Sequence, residues 1–285
     1  MTDPSTFAAD WLSLREPIDH RSRASKLDRC LHDWLSIDRT ASSEIAVLDL
    51  GSGAGSNLRY LSPRLPRPQH WTLLDHDRDL LARACSTEFA PNKSRVTARC
   101  LDLTHFTDID LARPDLVTAS AWLDLVSADW IRQFTERLER WHVPVLICLS
   151  VDGRRGFLDG SGGAVDDSDD AILREAFNRH QRQPKGLGDH PALGPDALEA
   201  LADLLSEHFV VERRPSDWRL SADAPEGCSL AIELLEGWAS AAQAVDSSLT
   251  PLAIESWRAD RRRRIERGDL GLYVGHQDLL ALPRC

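Results

Sequence analysis

The residues best suited to chemistry form one short run, Asp49-Leu50-Gly51-Ser52-Gly53-Ala54-Gly55. Glycines at alternate positions let a backbone adopt positive φ and approach a ligand closely. Two further acids follow in order. Asp75 closes the apolar run Trp71-Thr72-Leu73-Leu74, and a carboxylate there can accept both hydroxyl protons of a ribose. Asp102 closes the run Val96 to Leu101 and can accept from an adenine amino group. Either acid alone reads equally well as a capping or loop-start aspartate, and Asp77 or Asp79 could stand in for Asp75. Three such elements on successive strand tips make an adenosine site the expectation.

Strands must stand behind those positions. Ile45 to Leu50 is a short apolar run closed by Gly51, as expected of a strand buried on both faces. Leu58 and Leu61 mark a helix after it, and Leu80, Leu81 and Ala84 mark another after the Trp71 run. Asp115 to Ser120 and Val143 to Ser150 read as a fourth and a fifth strand, separated by a helix carrying Trp130, Phe134 and Leu138. This alternation implies a parallel sheet with helices on both faces, whose ligands bind at the C-terminal strand ends. Residues 1–43 read as helices, with Pro17 breaking or starting one of them. Residues 152–168, rich in Gly and Asp, read as a mobile loop, and Ser168 caps a helix to about Gln181. A helix opens at Gly194-Pro195, Phe209-Val210-Val211 is a sixth strand, two helices span about 226–243 and 250–267, and Leu270, Leu272 and Val274 alternate in a last strand.

The glycine spacing discriminates between cofactors. A dinucleotide fingerprint, G-x-G-x-x-G, would want glycine where Ser56 stands. An acid followed by Gly-x-Gly-x-Gly resembles the class I S-adenosylmethionine-dependent methyltransferases instead. The resemblance covers roughly the first half of the chain: Val47 to Leu61, Thr72 to Leu81, Arg99 to Leu103 and Asp115 to Ser127. It implies an α/β fold, a Rossmann-like three-layer α/β/α sandwich. The sheet would be mostly parallel and seven-stranded, its last strand antiparallel, with residues 210–214 and 270–275 forming the final hairpin and two helices inserted between them. A helical cap would occupy 1–43 and the methyltransferase domain 44–285, with a cofactor half over 44–150 and a substrate-side half over 151–285. By the same resemblance Asp49, Gly51 and Gly53 would line the methionine part of S-adenosyl-L-methionine, and Ser52, Gly55 and His76 belong to the same cofactor set. Asp75 would hold the ribose, Asp102 and Leu103 the adenine, and Ser120 would lie near the transferable methyl. An N-terminal helix covers the cofactor in many such enzymes, so Arg15 could pair with its carboxylate. S-adenosyl-L-homocysteine would be the product. The sequence Ser120-Ala121-Trp122-Leu123-Asp124 lacks the Asp-Pro-Pro-Tyr type motif of base-methylating enzymes.

Methyl transfer from a sulfonium mainly requires alignment, with a base only for a weakly acidic hydroxyl or a protonated amine. Asp124, His276 and His180 are the candidate catalytic groups. His276 lies just beyond the last expected strand; His180 shares a face with Ile172, Leu173, Ala176 and Phe177 and reads equally as a core histidine. Trp122, Asn178 and Gln181 are candidate substrate contacts, the last two in a polar segment, Asn178 to Gly188, that could form a lid. The basic run Arg258 to Arg264 could attract an anion, or could be a solvated face offset by Asp260 and Glu266.

Composition narrows the partners. The 285-residue chain carries a net charge of −11, which repels phosphate backbones, so a small-molecule substrate rather than nucleic acid is expected. Its six cysteines include no C-x-x-C pair, and no metal site is expected. No apolar run approaches the roughly 20 residues of a membrane span, and the N-terminus lacks a signal-peptide pattern, so a cytoplasmic protein is expected. Two other readings stay open at this point: an NAD(P)-dependent oxidoreductase, and a non-catalytic cofactor-binding subunit.

Overall fold

A computed structural model describes residues 9–37, 44–86, 94–184, 190–221, 225–245 and 249–284. Two helices come first, α1 (Ala9–Ser22) and α2 (Ser25–Ser36). An alternating set follows: β1 (Ile45–Leu50), α3 (Ser56–Leu61), β2 (Gln69–Asp75), α4 (Arg78–Ser86), β3 (Arg95–Cys100), β4 (Leu116–Ser120), α5 (Ala128–Trp141) and β5 (Val145–Leu158). The remainder is β6 (Ala164–Val165), α6 (Ser168–Gln181), α7 (Ala197–Leu205), β7 (Phe209–Pro215), β8 (Trp218–Leu220), α8 (Pro225–Val245), α9 (Pro251–Glu266) and β9 (Gly271–Pro283).

The sheet runs in the order β3-β2-β1-β4-β5-β9-β7. The first five strands are mutually parallel, and β9 lies antiparallel between β5 and β7. This is the expected Rossmann-like architecture, but with nine strands rather than seven. The two additional strands are short: β6 pairs with β5 and β8 with β9. Their cause is the length of β5 and β9, 14 and 13 residues, whose overhang would otherwise expose unpaired backbone.

Several sequence expectations change, the first of them for the same reason. Residues 152–158 are strand, not loop. Register shifts between Ile147/Ser150 and Val151/Arg155 let β5 kink and continue along β9, with Leu149 and Gly153 at positive φ in the irregular stretch. The final hairpin pairs β7 with Gln277–Pro283, whereas residues 271–274 pair with the far half of β5 and with β8. His276 therefore lies inside β9, not beyond it. Pro17 sits within a continuous α1; a proline removes only one backbone donor, here in a helix anchored by its tertiary contacts. The cap of α6 is Asp167 rather than Ser168: its carboxylate accepts from Asp169 and Asp170 N–H, and Asp170 reciprocates.

Alternating side chains split the core. Leu48, Leu50, Val117 and Ile147 face α5 and α7, while Val47, Leu73, Leu116 and Leu146 face α2 and α3. A third cluster packs α1, α6, α8 and α9 over the extended ends of β5, β8 and β9. Ile172, read as sharing a helical face with Leu173, Ala176 and Phe177, is exposed. Among the described residues no helix is long and apolar enough to cross a membrane.

Candidate functional site

Beyond Leu50 the chain must turn sharply to enter α3. Gly51, Gly53 and Gly55 do so with φ of +61°, +50° and +83°, a region that costs other residues about 1–2 kcal/mol. Gly51 has a second constraint. A Cβ there would lie 2.4 Å from Trp122 Cδ1, so the indole rests on bare backbone. At Gly53 the nearest neighbour of such a Cβ would be Leu12 Cδ1 at 3.6 Å. Gly55 caps α3 and faces α4.

Asp75, the last residue of β2, ties the bend to the neighbouring strand. Its Oδ2 accepts from Gly53 N–H at 2.8 Å and its Oδ1 from Asp77 N–H at 2.9 Å. Next to it His76 Nδ1 lies 3.4 Å from Asp75 Oδ1. Ser52 N–H donates to Leu74 O at 3.0 Å, pinning the bend from the other side. Asp102 Oδ1 accepts from Thr104 N–H at 2.8 Å and so caps the short turn Leu103–Asp108. The capping reading of Asp102 is therefore right, and the residue lines the cleft as well.

These tips surround a cleft of about 350 Å³ roofed by α1. Asp49, Gly51, Ser52, Gly53, Asp75, His76, Asp102, Leu103, Ser120 and Arg15 all line it, as does Trp122. Gly55, of the expected cofactor set, does not. Arg15 spends its charge within α1, on Asp19 at 2.9 and 3.1 Å, with its guanidinium 4.9 Å from the Trp218 ring. The roof is latched by Glu16, which accepts from Arg59 Nε and Nη2 at 2.7 and 2.6 Å. A half-exposed pair of this kind contributes under about 1 kcal/mol. Glu16→Gln should lower stability by no more than that, yet speed ligand dissociation severalfold; stopped-flow release of S-adenosylhomocysteine reads the change, and an unaltered off-rate contradicts a latching role.

Apart from Trp122, the residues expected to act on substrate are not among those lining the cleft. Asp124 sits between Trp122 and Leu125, which do line it, and acts electrostatically on Arg155. Asn178 accepts from Arg155 Nη2 at 3.3 Å and donates to Gly153 O at 3.1 Å, so it braces the kink in β5. Arg155 is buried against the Phe177 ring at 3.6 Å, and burial pulls its pKa down to about 9. His180 and Gln181 are half-buried at the end of α6, the His180 and Phe177 rings 6.4 Å apart. Residues 185–188 of the expected lid lie outside the described residues. His276 is buried beside Trp218, ring centroids 5.0 Å apart, with Nδ1 3.1 Å from Val274 O. Burial, then the nearby Arg15, pulls its pKa down to about 3. It is neutral at physiological pH and poorly suited to accept a proton. Four of the five arginines in the basic run on α9 are engaged in internal pairs: Arg258 with Glu255 and Glu236, Arg262 with Glu266, Arg263 with Asp260, and Arg261 with Asp167 and Asp170.

Sequence reading missed the network beneath Asp49. Asn57 Nδ2 donates to Asp49 Oδ1 at 2.7 Å and contacts Thr118 Oγ1 at 3.1 Å, while its own Oδ1 accepts from Arg23 Nη1 at 3.0 Å. Its signal was faint: one polar residue in the first turn after the glycines. Burial pushes Asp49 up to about 7, against the stabilising Asn57 bond and Arg23 charge. Its other oxygen, Oδ2, is buried with no hydrogen-bond partner among the described residues.

This donor and acceptor set fits S-adenosylmethionine. The orphaned Asp49 oxygen can take an ammonium, the bare glycine bend admits a close approach, and Asp75 has free lone pairs for ribose hydroxyls. Leu80, Leu101 and Leu103 supply apolar lining near Asp102 for a base. Among the described residues no group of three or more His, Cys, Asp or Glu is placed to hold a metal ion.

Residues 47–144 match a family model described as a methyltransferase domain. No curated protein matches. Similar solved structures include a methyltransferase from Thiobacillus denitrificans with S-adenosylhomocysteine (14% identity, 98% of this chain and 99% of that one, TM-score 0.47). Another is from Geobacter sulfurreducens, also with S-adenosylhomocysteine (15%, 92% and 92%, TM-score 0.44). A third is the cyclopropane synthase MmaA2 of Mycobacterium tuberculosis (13%, 90% and 83%, TM-score 0.44). Residues 47–144, which run from β1 through α5, therefore carry the match to a methyltransferase domain within a sheet of Rossmann-like strand order.

Proposed function

We propose that this protein transfers the methyl group of S-adenosylmethionine to a small-molecule acceptor presented at the ends of β4 and β5. The observation that carries the reading is the bond from Gly53 N–H to Asp75 Oδ2 at 2.8 Å, which places the ribose-type acid directly on the glycine bend. The bound cofactor supplies an electrophilic methyl on a good leaving group. The chain's own part is alignment and exclusion of water. Asp49 and the glycine bend hold one end of the ligand, and Asp75, Asp102 and Leu103 hold the other. Ser120, Ala121 and Trp122 border the space between, with α1 above.

Two features favour a small acceptor. The cleft lies under a helix rather than open to a broad surface, and the net charge of −11 opposes a nucleic-acid substrate. Where the acceptor must lose a proton, Asp124 adjoins the cleft-lining Trp122 and Leu125, whereas burial makes the His276 ring a weak base. The test is incubation with methyl-labelled S-adenosylmethionine and a metabolite extract, alongside calorimetry with S-adenosylhomocysteine and NADH. Label in a low-mass product and binding of S-adenosylhomocysteine alone are expected. Binding of NADH alone overturns the cofactor. Label only in macromolecules overturns the acceptor class.

A further inference from the structure

The chain reserves a buried three-residue relay to aim Asp49. Asn57 is 4% exposed, and its amide is fixed on both sides: Arg23 Nη1 donates to its oxygen at 3.0 Å, and its nitrogen bonds Asp49 Oδ1 and Thr118 Oγ1. Thr118 cannot turn away, since its hydroxyl donates to Leu146 O at 2.8 Å. Arg23 cannot either: it lies 3.6 Å from Asp278 and over the Tyr60 ring at 4.4 Å. Asp278 in turn is held by the backbone N–H groups of Ala24 and Leu149 at 2.8 and 2.7 Å. The amide orientation is thus forced: with Arg23 on its oxygen, only an N–H can face Asp49. One carboxylate oxygen is occupied and the other, Oδ2, is buried without a hydrogen-bond partner among the described residues, where Asp49 lines the cleft.

We infer that Asn57, oriented by Arg23 and Thr118, is a positioning residue that presents Asp49 Oδ2 to a single cationic group of the ligand, the ammonium of the amino-acid tail. The inference rests on the cofactor reading above and deepens it. Its consequence is a proton-linked affinity. The charged and titratable groups acting on Asp49 are Arg23 in the turn between α1 and α2 and Asp75 on β2; the Cys148 thiol on β5 is coupled to it as well. Burial holds the free carboxyl near neutral pKa, whereas an ammonium beside it favours the ionised form. Affinity for a ligand bearing that ammonium should rise as pH increases from 5.5 towards 7.5, by up to tenfold per unit below the carboxyl's pKa. Loss of the Asn57 bond removes an influence that lowers the Asp49 pKa, so the profile should move to higher pH.

The experiment compares two probes on the full chain by calorimetry across that range: S-adenosylhomocysteine, which carries the ammonium, and 5′-methylthioadenosine, which lacks it. Asn57→Ala should weaken S-adenosylhomocysteine about tenfold at pH 7, displace its pH profile upward, and leave 5′-methylthioadenosine within about twofold, the weakening corresponding to one bond to a charged group. Thr118→Val, nearly isosteric, should shift the profile the same way by less, and serves if the first variant fails to fold. Equal weakening of both probes, or a pH profile unmoved in the folded variants, overturns the inference while leaving the cofactor reading intact. Failure of wild-type protein to bind either probe overturns the cofactor reading itself, and the inference with it.

Discussion

Gly51→Ala is expected to cost about 3 kcal/mol of folding stability and to abolish binding at the cleft. Two independent terms add. The positive φ of +61° strains any L side chain by about 1–2 kcal/mol. The new Cβ, 2.4 Å from Trp122 Cδ1 and 2.5 Å from Cγ, must then push aside an indole packed edge-on against Trp130, an overpacking cost of about 1–3 kcal/mol. Gly53→Ala is the matched control. Its φ of +50° carries the same strain, but Leu12 Cδ1 at 3.6 Å is ordinary contact, so about 1–2 kcal/mol is expected. Urea unfolding of both variants separates the terms. Equal losses would mean that Trp122 does not constrain the bend.

Asp75→Ala should weaken S-adenosylhomocysteine by about 1–3 kcal/mol, roughly fivefold to 150-fold. The carboxylate is 6% exposed and touches the bend through Gly53 N–H. Its removal leaves ligand hydroxyls unpaired and frees two backbone donors, those of Gly53 and Asp77. Asp75→Asn should recover part of the loss, because one oxygen remains to accept. Calorimetry on the folded variants decides; unchanged affinity would place the ribose on other groups.

How much of this was legible beforehand follows from the range of the interactions. The parallel half of the sheet and its site are written locally. Short runs of four to six residues, each closed by Gly or Asp, place Asp49, Asp75 and Asp102 at adjacent strand tips, and the cleft is lined accordingly. The C-terminal half depends on long-range pairing. Nothing near residues 152–158 reveals that β9, more than a hundred residues on, continues as their partner. Gly and Asp therefore suggested a loop where a kinked strand runs. The same error put His276 at a strand end when it is buried in mid-strand. Polar side chains were harder still. Arg15 answers to Asp19, four residues away in its own helix, and the relay of Arg23, Asn57 and Thr118 joins the α1–α2 turn, α3 and β4. Such pairings are set by tertiary geometry that no spacing rule encodes. They account for the difference between the cofactor residues, nearly all gathered in one cleft, and the expected substrate residues, of which Trp122 alone lines it.

A crystal structure with S-adenosylhomocysteine tests the central claim most directly. The adenosyl group should lie under α1, with ribose hydroxyls within about 3 Å of Asp75 and the amino group at Asp49 Oδ2. Ligand density away from the Gly51–Gly53 bend, or at the bend but out of reach of Asp75, would contradict it.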